Sequence, residues 1–206
     1  MESFRRMLVE DFIGKLSASS PTPGGGTAAA VAGAMAAALL SMAASISLKR
    51  SPEEKTLREA RDCSERLRES LLDLADRDSA AYERVVEAYR LPKDTEEQKQ
   101  LRKARIQEAL REAAEVPLRT AELALEVLET AEGMKDKVRS SVLSDLLVAV
   151  RLAHAGFHAA LYNVDINLSS LKDAGVRENL QKKRDALVGR MEKTLRELLE
   201  MEEKLK

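Results

Sequence analysis

The chain has 206 residues, enough for one domain with a substantial core. Its 34 lysines and arginines nearly balance 35 aspartates and glutamates, and only 3% of its residues are aromatic, with no tryptophan. This composition argues against a nucleic-acid partner, because it provides neither a basic field nor platforms for base stacking. The single cysteine, Cys63, excludes an internal disulfide and a cysteine-based zinc site.

The first predicted elements are an amphipathic helix at 1–16 and a rigid turn that follows it. The turn reads Pro21-Thr22-Pro23-Gly24-Gly25-Gly26-Thr27. Its prolines fix the backbone and its glycines expose bare N–H groups, while Thr27 is predicted to cap the next helix. Taken alone, the turn fits two interpretations equally: a backbone cradle for polar or anionic ligand groups, or a stiff loop whose glycines let two helices approach closely. Nucleotide binding is disfavoured, since the sequence lacks the phosphate-loop motifs.

The next predicted helix, 27–48, consists mostly of alanine. It is long enough to span a membrane, but alanine and serine are far less lipophilic than leucine or isoleucine. A helix that is apolar all round and carries small side chains is typical of the centre of a bundle. The charged N terminus also lacks the apolar stretch of a secretory signal. The sequence therefore predicts a cytoplasmic protein that does not enter a membrane.

The remaining chain also has helical composition throughout. Pro52 is predicted in the first turn of one helix, and Pro117 is predicted to kink or divide another. The fold class is predicted as all-α, an up-and-down bundle of five to six helices, several of them long, with a central buried alanine-rich helix. A single domain over 1–206 is expected. The predicted bounds of the later helices are 53–89, 95–131, 137–171 and a charged tail after 175.

Asp78 is the acidic residue that the helical pattern singles out. Helical spacing places it on an apolar stripe with Ala75 and Tyr82, whereas Asp76 faces away. A carboxylate beside an apolar surface is unfavourable unless it is paired or protonated. Burial would raise its pKa and make it a proton donor near neutral pH. The alternative is a surface aspartate paired with an arginine such as Arg77.

A second group of polar residues lies on the helix predicted at 137–171. Asn163 and Asn167 are one turn apart, although asparagine is a poor residue for a helix interior. Interhelical hydrogen bonds that fix the bundle register would explain them, as would a ligand that needs several amide donors and acceptors. Asp145 shares this face but lies about 27 Å from Asn163 along the axis. The two therefore mark opposite ends of a groove, or separate sites joined by a partner subunit.

His154 and His158 also lie one helical turn apart, a spacing that could place two imidazoles on one metal ion. The sequence places neither a metalloprotease glutamate between them nor a cysteine nearby. A pair of histidines on the helix surface is therefore the favoured interpretation, and no metal site is predicted. The apolar stretches 28–48 and 142–171 are candidate faces for self-association.

Several ordered motifs resemble the formimidoyltetrahydrofolate cyclodeaminase family, which includes bacterial methenyltetrahydrofolate cyclohydrolases. The resemblance covers about residues 12–173, and ordered motifs together are specific where one alone would be weak. Nothing in the sequence resembles the formiminotransferase fused to this domain in the animal enzyme, so a stand-alone version is expected. The motifs are Pro21–Thr27, Asp76–Tyr82, Val86–Lys93, Glu115–Leu118, Ser144–Leu146 and Tyr162–Leu168.

The resemblance implies an all-helical, homodimeric enzyme that acts on tetrahydrofolate one-carbon adducts, with no cofactor beyond the folate substrate. Its proton donor falls on Asp78. The reaction is cyclodeamination of 5-formimidoyltetrahydrofolate to 5,10-methenyltetrahydrofolate and ammonia, hydrolysis of 5,10-methenyl- to 10-formyltetrahydrofolate, or both. A non-catalytic folate-binding homologue and a helical oligomerisation module are the alternatives. Predicted substrate contacts are Pro23, Gly24, Gly25, Gly26, Asp145, Asn163 and Asn167.

Overall fold

The computed structural model describes residues 3–200, which form helices and connecting turns with no β-strand among them. The prediction of an all-α bundle is confirmed. Short 3₁₀ turns at Phe4–Arg6 and Ser140–Val142 precede two of the helices. The six α-helices are α1 (Val9–Leu16), α2 (Gly25–Leu48), α3 (Lys55–Arg90), α4 (Glu96–Met134), α5 (Leu143–Ser170) and α6 (Ala174–Leu199).

The alanine-rich helix α2 lies at the centre of the bundle, as predicted, and packs against α3, α4 and α5. Small side chains make these contacts close. A methyl group on Gly156 of α5 would come within 2.9 Å of the Ala29 main-chain oxygen on α2. A methyl group on Gly33 would lie 3.2 Å from Leu71 of α3. These glycines therefore set the spacing between the central helix and its two main neighbours.

The helix α4 continues through Pro117 without a break. The sequence predicted a kink or a division at this residue, and the division is wrong. Proline removes the N–H that would bind the carbonyl four residues earlier, which belongs to Ala113. That carbonyl instead accepts a hydrogen bond of 2.7 Å from the side-chain nitrogen of Asn167 on α5. Pro117 itself is buried in the bundle. Tertiary packing and a substitute hydrogen bond therefore sustain the helix.

Several local predictions of helix ends need correction; the helix predicted from residue 137, for example, begins at Leu143. The helix α2 begins at Gly25 with Gly24 as its N-cap, so Thr27 lies inside the first turn and does not cap it. Pro52 precedes α3, which begins at Lys55 and is capped by the Glu54 side chain. The opening helix is limited to Val9–Leu16, because Leu8 has an extended backbone. Residues 1 and 2 of that prediction lie outside the described residues.

Two helices are long and apolar enough to cross a membrane by length and composition: Gly25–Leu48 and Ser140–Ser170. About half of each apolar window is buried inside the protein, 56% in the first and 44% in the second. Both helices belong to the core of the bundle. Core helices of soluble proteins satisfy the same criterion.

Candidate functional site

A cavity of about 320 Å³ lies where the proline–glycine turn meets α3, α4 and α5. Asp78 is the one carboxylate among its twelve lining residues, and no lysine or arginine is among them. Larger depressions on the outer faces of α3 and α4 are lined mainly by exposed charged side chains. The lining residues are Pro21, Thr22, Gly24, Gly25, Gly26, Asp78, Tyr82, Val85, Ala113, Asn163, Ile166 and Asn167.

The carboxyl group of Asp78 is largely buried and is held by Thr27. The Thr27 hydroxyl donates to Asp78 Oδ2 at 2.9 Å. Burial raises the pKa of Asp78 above its ordinary value, while hydrogen bonds from the side chain and main chain of Thr27 act in the opposite direction. No arginine pairs with this carboxylate among the described residues. The geometry favours the proton-donor interpretation over the surface ion pair.

Gly26 faces the Asp78 carboxyl group so closely that no side chain fits between them. A methyl group on Gly26 would come within 2.6 Å of the carboxyl carbon of Asp78. Gly25, by contrast, is exposed, and a methyl group there would make an ordinary contact of 3.5 Å with the Asn163 side-chain nitrogen. The glycine at 26 is therefore required to admit the acid, and the glycine at 25 borders the open cavity.

The turn also brings the N terminus of α2 to the cavity wall. Gly24, the N-cap of α2, has no side chain to bind the N–H groups of the first turn, of which that of Thr27 bonds Asp78. Such N–H groups, with the positive end of the helix dipole, favour oxygen acceptors and anions. Gly24, Gly25 and Gly26 all line the cavity, whereas Pro23 is buried and is not among its lining residues.

Asn163 and Asn167 both line the cavity, and both use the side-chain nitrogen to bind the protein. Asn163 donates to the Ala159 carbonyl at 2.9 Å, within its own helix. Asn167 donates to Ala113 at 2.7 Å and to the Asn163 carbonyl at 2.8 Å. The interhelical bond that would fix the register is thus present for Asn167. In this arrangement the side-chain oxygens are the atoms left for a ligand.

The other predicted acids lie elsewhere. Asp76 points away from the cavity, as predicted, and accepts hydrogen bonds from Ser3 and from the Phe4 main chain. Asp145 lies in the first turn of α5 and is not among the cavity-lining residues. Within one chain the cavity thus brings Asp78, Asn163 and Asn167 together with the glycines, and leaves Asp145 out.

Besides Pro21 and Thr22 of the turn, four lining residues were missing from the sequence prediction of the site: Tyr82, Val85, Ala113 and Ile166. Tyr82 follows Asp78 by one helical turn, and its spacing alone could have placed it there. For Ile166 the only indication in the sequence was its position between the two asparagines; the structure shows it 66% exposed. Nothing in the sequence indicated Ala113, because its place in the cavity wall depends on the packing of α4 against α5.

His154 and His158 contact each other edge to face, with ring centres 4.7 Å apart. Burial lowers the pKa of His154, and the neighbouring His158 and Arg151 act in the same direction. No group of three or more histidine, cysteine, aspartate or glutamate side chains within residues 3–200 is arranged to hold a metal ion. Neither histidine lines the cavity.

The chain is similar in sequence and in structure to several known proteins. The methenyltetrahydrofolate cyclohydrolase of Methylorubrum extorquens is 40% identical over 183 residues, which cover 87% of this chain and 88% of the relative. The formimidoyltransferase-cyclodeaminase of Mus musculus is 34% identical over 81% of this chain, which spans only 31% of that longer protein. The crystal structure of formiminotetrahydrofolate cyclodeaminase from Thermotoga maritima matches with a TM-score of 0.87 and 29% identity, over 98% of both chains.

The family-level match agrees with the motifs that carried the resemblance. Residues 8–186 match the family model described as formiminotransferase-cyclodeaminase, a range that includes the proline–glycine turn, Asp78 and both asparagines. The fold, the ordered motifs and the relatives agree along nearly the whole chain. The chain belongs to the formiminotransferase-cyclodeaminase family.

Proposed function

We propose that this chain is an enzyme of tetrahydrofolate one-carbon metabolism that acts on the carbon bridging N5 and N10. It hydrolyses 5,10-methenyltetrahydrofolate to 10-formyltetrahydrofolate, converts 5-formimidoyltetrahydrofolate to 5,10-methenyltetrahydrofolate with release of ammonia, or does both. One observation carries the proposal: a single carboxyl group, Asp78, is buried in the wall of a cavity with its pKa raised. A carboxyl group in that state keeps its proton to a higher pH than a free one and can give it to a bound substrate.

The two reactions make the same demand on Asp78. In cyclodeamination, N10 attacks the formimidoyl carbon, and the departing nitrogen takes a proton before it leaves as ammonia. In hydrolysis, water adds to the methenyl carbon, and N5 takes a proton as its bond to that carbon breaks. Protonated Asp78 is the acid for both departing nitrogens. Holding N10 or water beside the carbon supplies a further large part of the acceleration.

The remaining lining residues are suited to hold the folate. The side-chain oxygens of Asn163 and Asn167 accept hydrogen bonds from the N–H and amino groups of a pterin ring. The N–H groups of the glycine turn donate to its oxygen or to a carboxylate of the glutamate tail. Tyr82, 42% exposed at the cavity, offers an aromatic face to the flat ring system.

Assaying the purified chain with both substrates tests the proposal. Methenyltetrahydrofolate absorbs light that the other two folates do not, so its formation or loss is followed directly. We expect turnover of at least one substrate, and a loss of roughly 100-fold or more for Asp78→Asn, as for other essential acids. No turnover of either substrate, with folate still raising the melting temperature, would indicate a binding homologue. No such rise would indicate an oligomerisation module.

We also propose that the chain is a homodimer. Apolar side chains are exposed along the outer faces of the two most apolar helices, among them Met35 at 49%, Val148 at 50% and Tyr162 at 74%. Exposed apolar surface of this extent on adjacent helices favours association. Sedimentation measurements of Met35→Asp should show a shift toward monomer, whereas Leu101→Asp, an equally exposed site at the start of α4, should leave the mass unchanged. A monomeric wild-type chain would contradict the proposal.

A cytoplasmic location and turnover without a metal or redox cofactor complete the proposal. Both reactions move protons and exchange nitrogen or oxygen at one carbon, and neither changes its oxidation state. Activity should therefore survive dialysis against a chelator, measured in the same absorbance assay. Fractionation of cells should recover the chain in the supernatant; recovery with the membranes would point instead to the apolar helices as membrane segments.

A further inference from the structure

We infer that Thr27 is a positioning residue: it holds one oxygen of Asp78 and thereby presents the other to the substrate. This rests on the proposed function, in which Asp78 is the acid. The Thr27 hydroxyl donates to Oδ2 at 2.9 Å. It also lies 3.2 Å from the Ser79 hydroxyl. Because Thr27 has one proton and uses it on Asp78, Ser79 donates to Thr27, and the three groups form a directed chain.

The burial of these hydroxyls distinguishes the hydrogen bonds from Ser79 to Thr27 and from Thr27 to Asp78 from contacts on the protein surface. Thr27 and Ser79 are both completely buried. Burying a hydroxyl is unfavourable unless it is hydrogen-bonded. The hydrogen bonds from Ser79 to Thr27 and from Thr27 to Asp78 satisfy both buried hydroxyls. Neither residue lines the cavity, so neither contacts a substrate directly. Their effect on the reaction passes through the carboxyl group.

Helix capping does not account for Thr27. Capping was the expected role from the sequence, but Gly24 occupies the cap position and the helix begins at Gly25. The hydroxyl is bonded instead across to α3, where Asp78 and Ser79 are neighbours in sequence. The side chain is thus a polar link between the central helix and the helix that carries the acid.

Gly26 defines the other side of the carboxyl group. Of the Asp78 atoms, Oδ1 lies closest to the position that a methyl group on Gly26 would occupy, and Gly26 lines the cavity. With Oδ2 bound by Thr27, the carboxyl plane cannot rotate freely. Oδ1, which does not accept from the Thr27 hydroxyl, is therefore the oxygen to which this inference assigns the transferred proton.

The hydrogen bond has a second effect whose sign can be tested. A donor to a carboxylate stabilises its charged form, and Thr27 lowers the pKa of Asp78 against the larger effect of burial. Removing the hydroxyl should therefore move the pKa of Asp78 further upward. A threonine whose hydroxyl does not bind the carboxyl group would leave that pKa unchanged.

The decisive variants are Thr27→Val, which keeps the shape and removes the hydroxyl, and Thr27→Ser, which restores it. We expect Thr27→Val to lower kcat by roughly 10- to 100-fold, the range for a hydrogen bond to a charged group, with KM changed far less. The descending limb of the kcat–pH profile should move to higher pH. Thr27→Ser should recover most of kcat.

Thr120→Val deletes an equally buried hydroxyl on α4 that bonds only its own helix, and should leave kcat unchanged.

A measurement independent of turnover separates this inference from the proposed function. Carbon NMR of labelled aspartate carboxyl groups, assigned with Asp78→Asn, gives the pKa of Asp78 directly. An upward shift in Thr27→Val but not in Thr27→Ser supports the positioning role, even if neither folate is a substrate. An unchanged pKa together with an unchanged kcat–pH profile would overturn it, whatever the level of activity.

Discussion

The side-chain nitrogen of Asn167 lies 2.7 Å from the main-chain oxygen of Ala113, the carbonyl that Pro117 leaves without its usual helical donor. Two residues that are poor choices for a helix interior therefore compensate for each other across α4 and α5. The compensation also places the Asn167 amide and Ala113 together in the cavity wall. A backbone irregularity on one helix thus anchors a polar side chain that we propose contacts the folate.

A double-mutant cycle should reveal this compensation. Asn167→Ala leaves a buried carbonyl without a partner and should lower the free energy of unfolding by about 1–3 kcal/mol. In the Pro117→Ala background the restored N–H binds Ala113, so the same change should be milder by about 1 kcal/mol. Urea unfolding measures both. Asn163→Ala serves as the control, because its amide bonds a carbonyl of its own helix; a coupling to Pro117 of similar size there would contradict the explanation.

The buried acid should make stability depend on pH in a definite direction. The pKa of Asp78 is raised in the folded chain. Its contribution to stability is therefore fully present below the unfolded value, about 3.9, and is lost as the pH rises through the folded value. Asp78→Asn cannot ionise, so its melting temperature relative to the wild type should rise as the pH is raised above about 4. A difference that stays constant or shrinks over that range would show that the folded chain does not hold this carboxyl in a raised-pKa state.

Adjacent glycines of the turn should respond differently to the same substitution. Gly26→Ala forces the Asp78 carboxyl group to move, and overpacking of this kind typically costs about 1–3 kcal/mol along with much of the activity. Gly25→Ala meets only an ordinary contact with Asn163 and should fold normally. The larger Gly25→Val, which projects into the cavity, should weaken folate affinity more than it lowers the melting temperature. Loss of folding in Gly25→Val would favour a packing role for the turn.

Close packing between α2 and α5 predicts a contrast between two helical glycines. Gly156→Ala would place a methyl group within 2.9 Å of the Ala29 oxygen and should destabilise the chain by about 1–3 kcal/mol in urea unfolding. Gly189→Ala meets nothing within 4 Å on the surface of α6 and should stabilise it by up to about 1 kcal/mol through helix propensity. Equal effects on stability at the two positions would mean that α2 and α5 leave room for a methyl group at Gly156.

Local signals predicted some features and misjudged others for identifiable reasons. The alanine-rich composition of 27–48 predicted a buried central helix, since a helix without a polar face is stable only where all its sides are shielded from water. The same local reasoning predicted that Thr27 caps α2 and that Pro117 kinks or divides α4. Both residues have their partners on other helices, Asp78 for Thr27 and, through Ala113, Asn167 for Pro117. Propensity describes a residue against its own segment, and tertiary hydrogen bonds outweigh it.

By itself the sequence determined the helical class, the central position of the alanine-rich helix, and Asp78 as the acid on an apolar stripe. It also brought the proline–glycine turn to notice, without deciding between a ligand cradle and a packing element. Only the tertiary structure decided that the turn meets Asp78, Asn163 and Asn167 around one cavity, and that Asp145 lies outside it. The physical reason is distance along the chain. Helical periodicity relates residues a few positions apart, whereas the packing of α2 against α3 and α5 brings together residues separated by 51 positions and more.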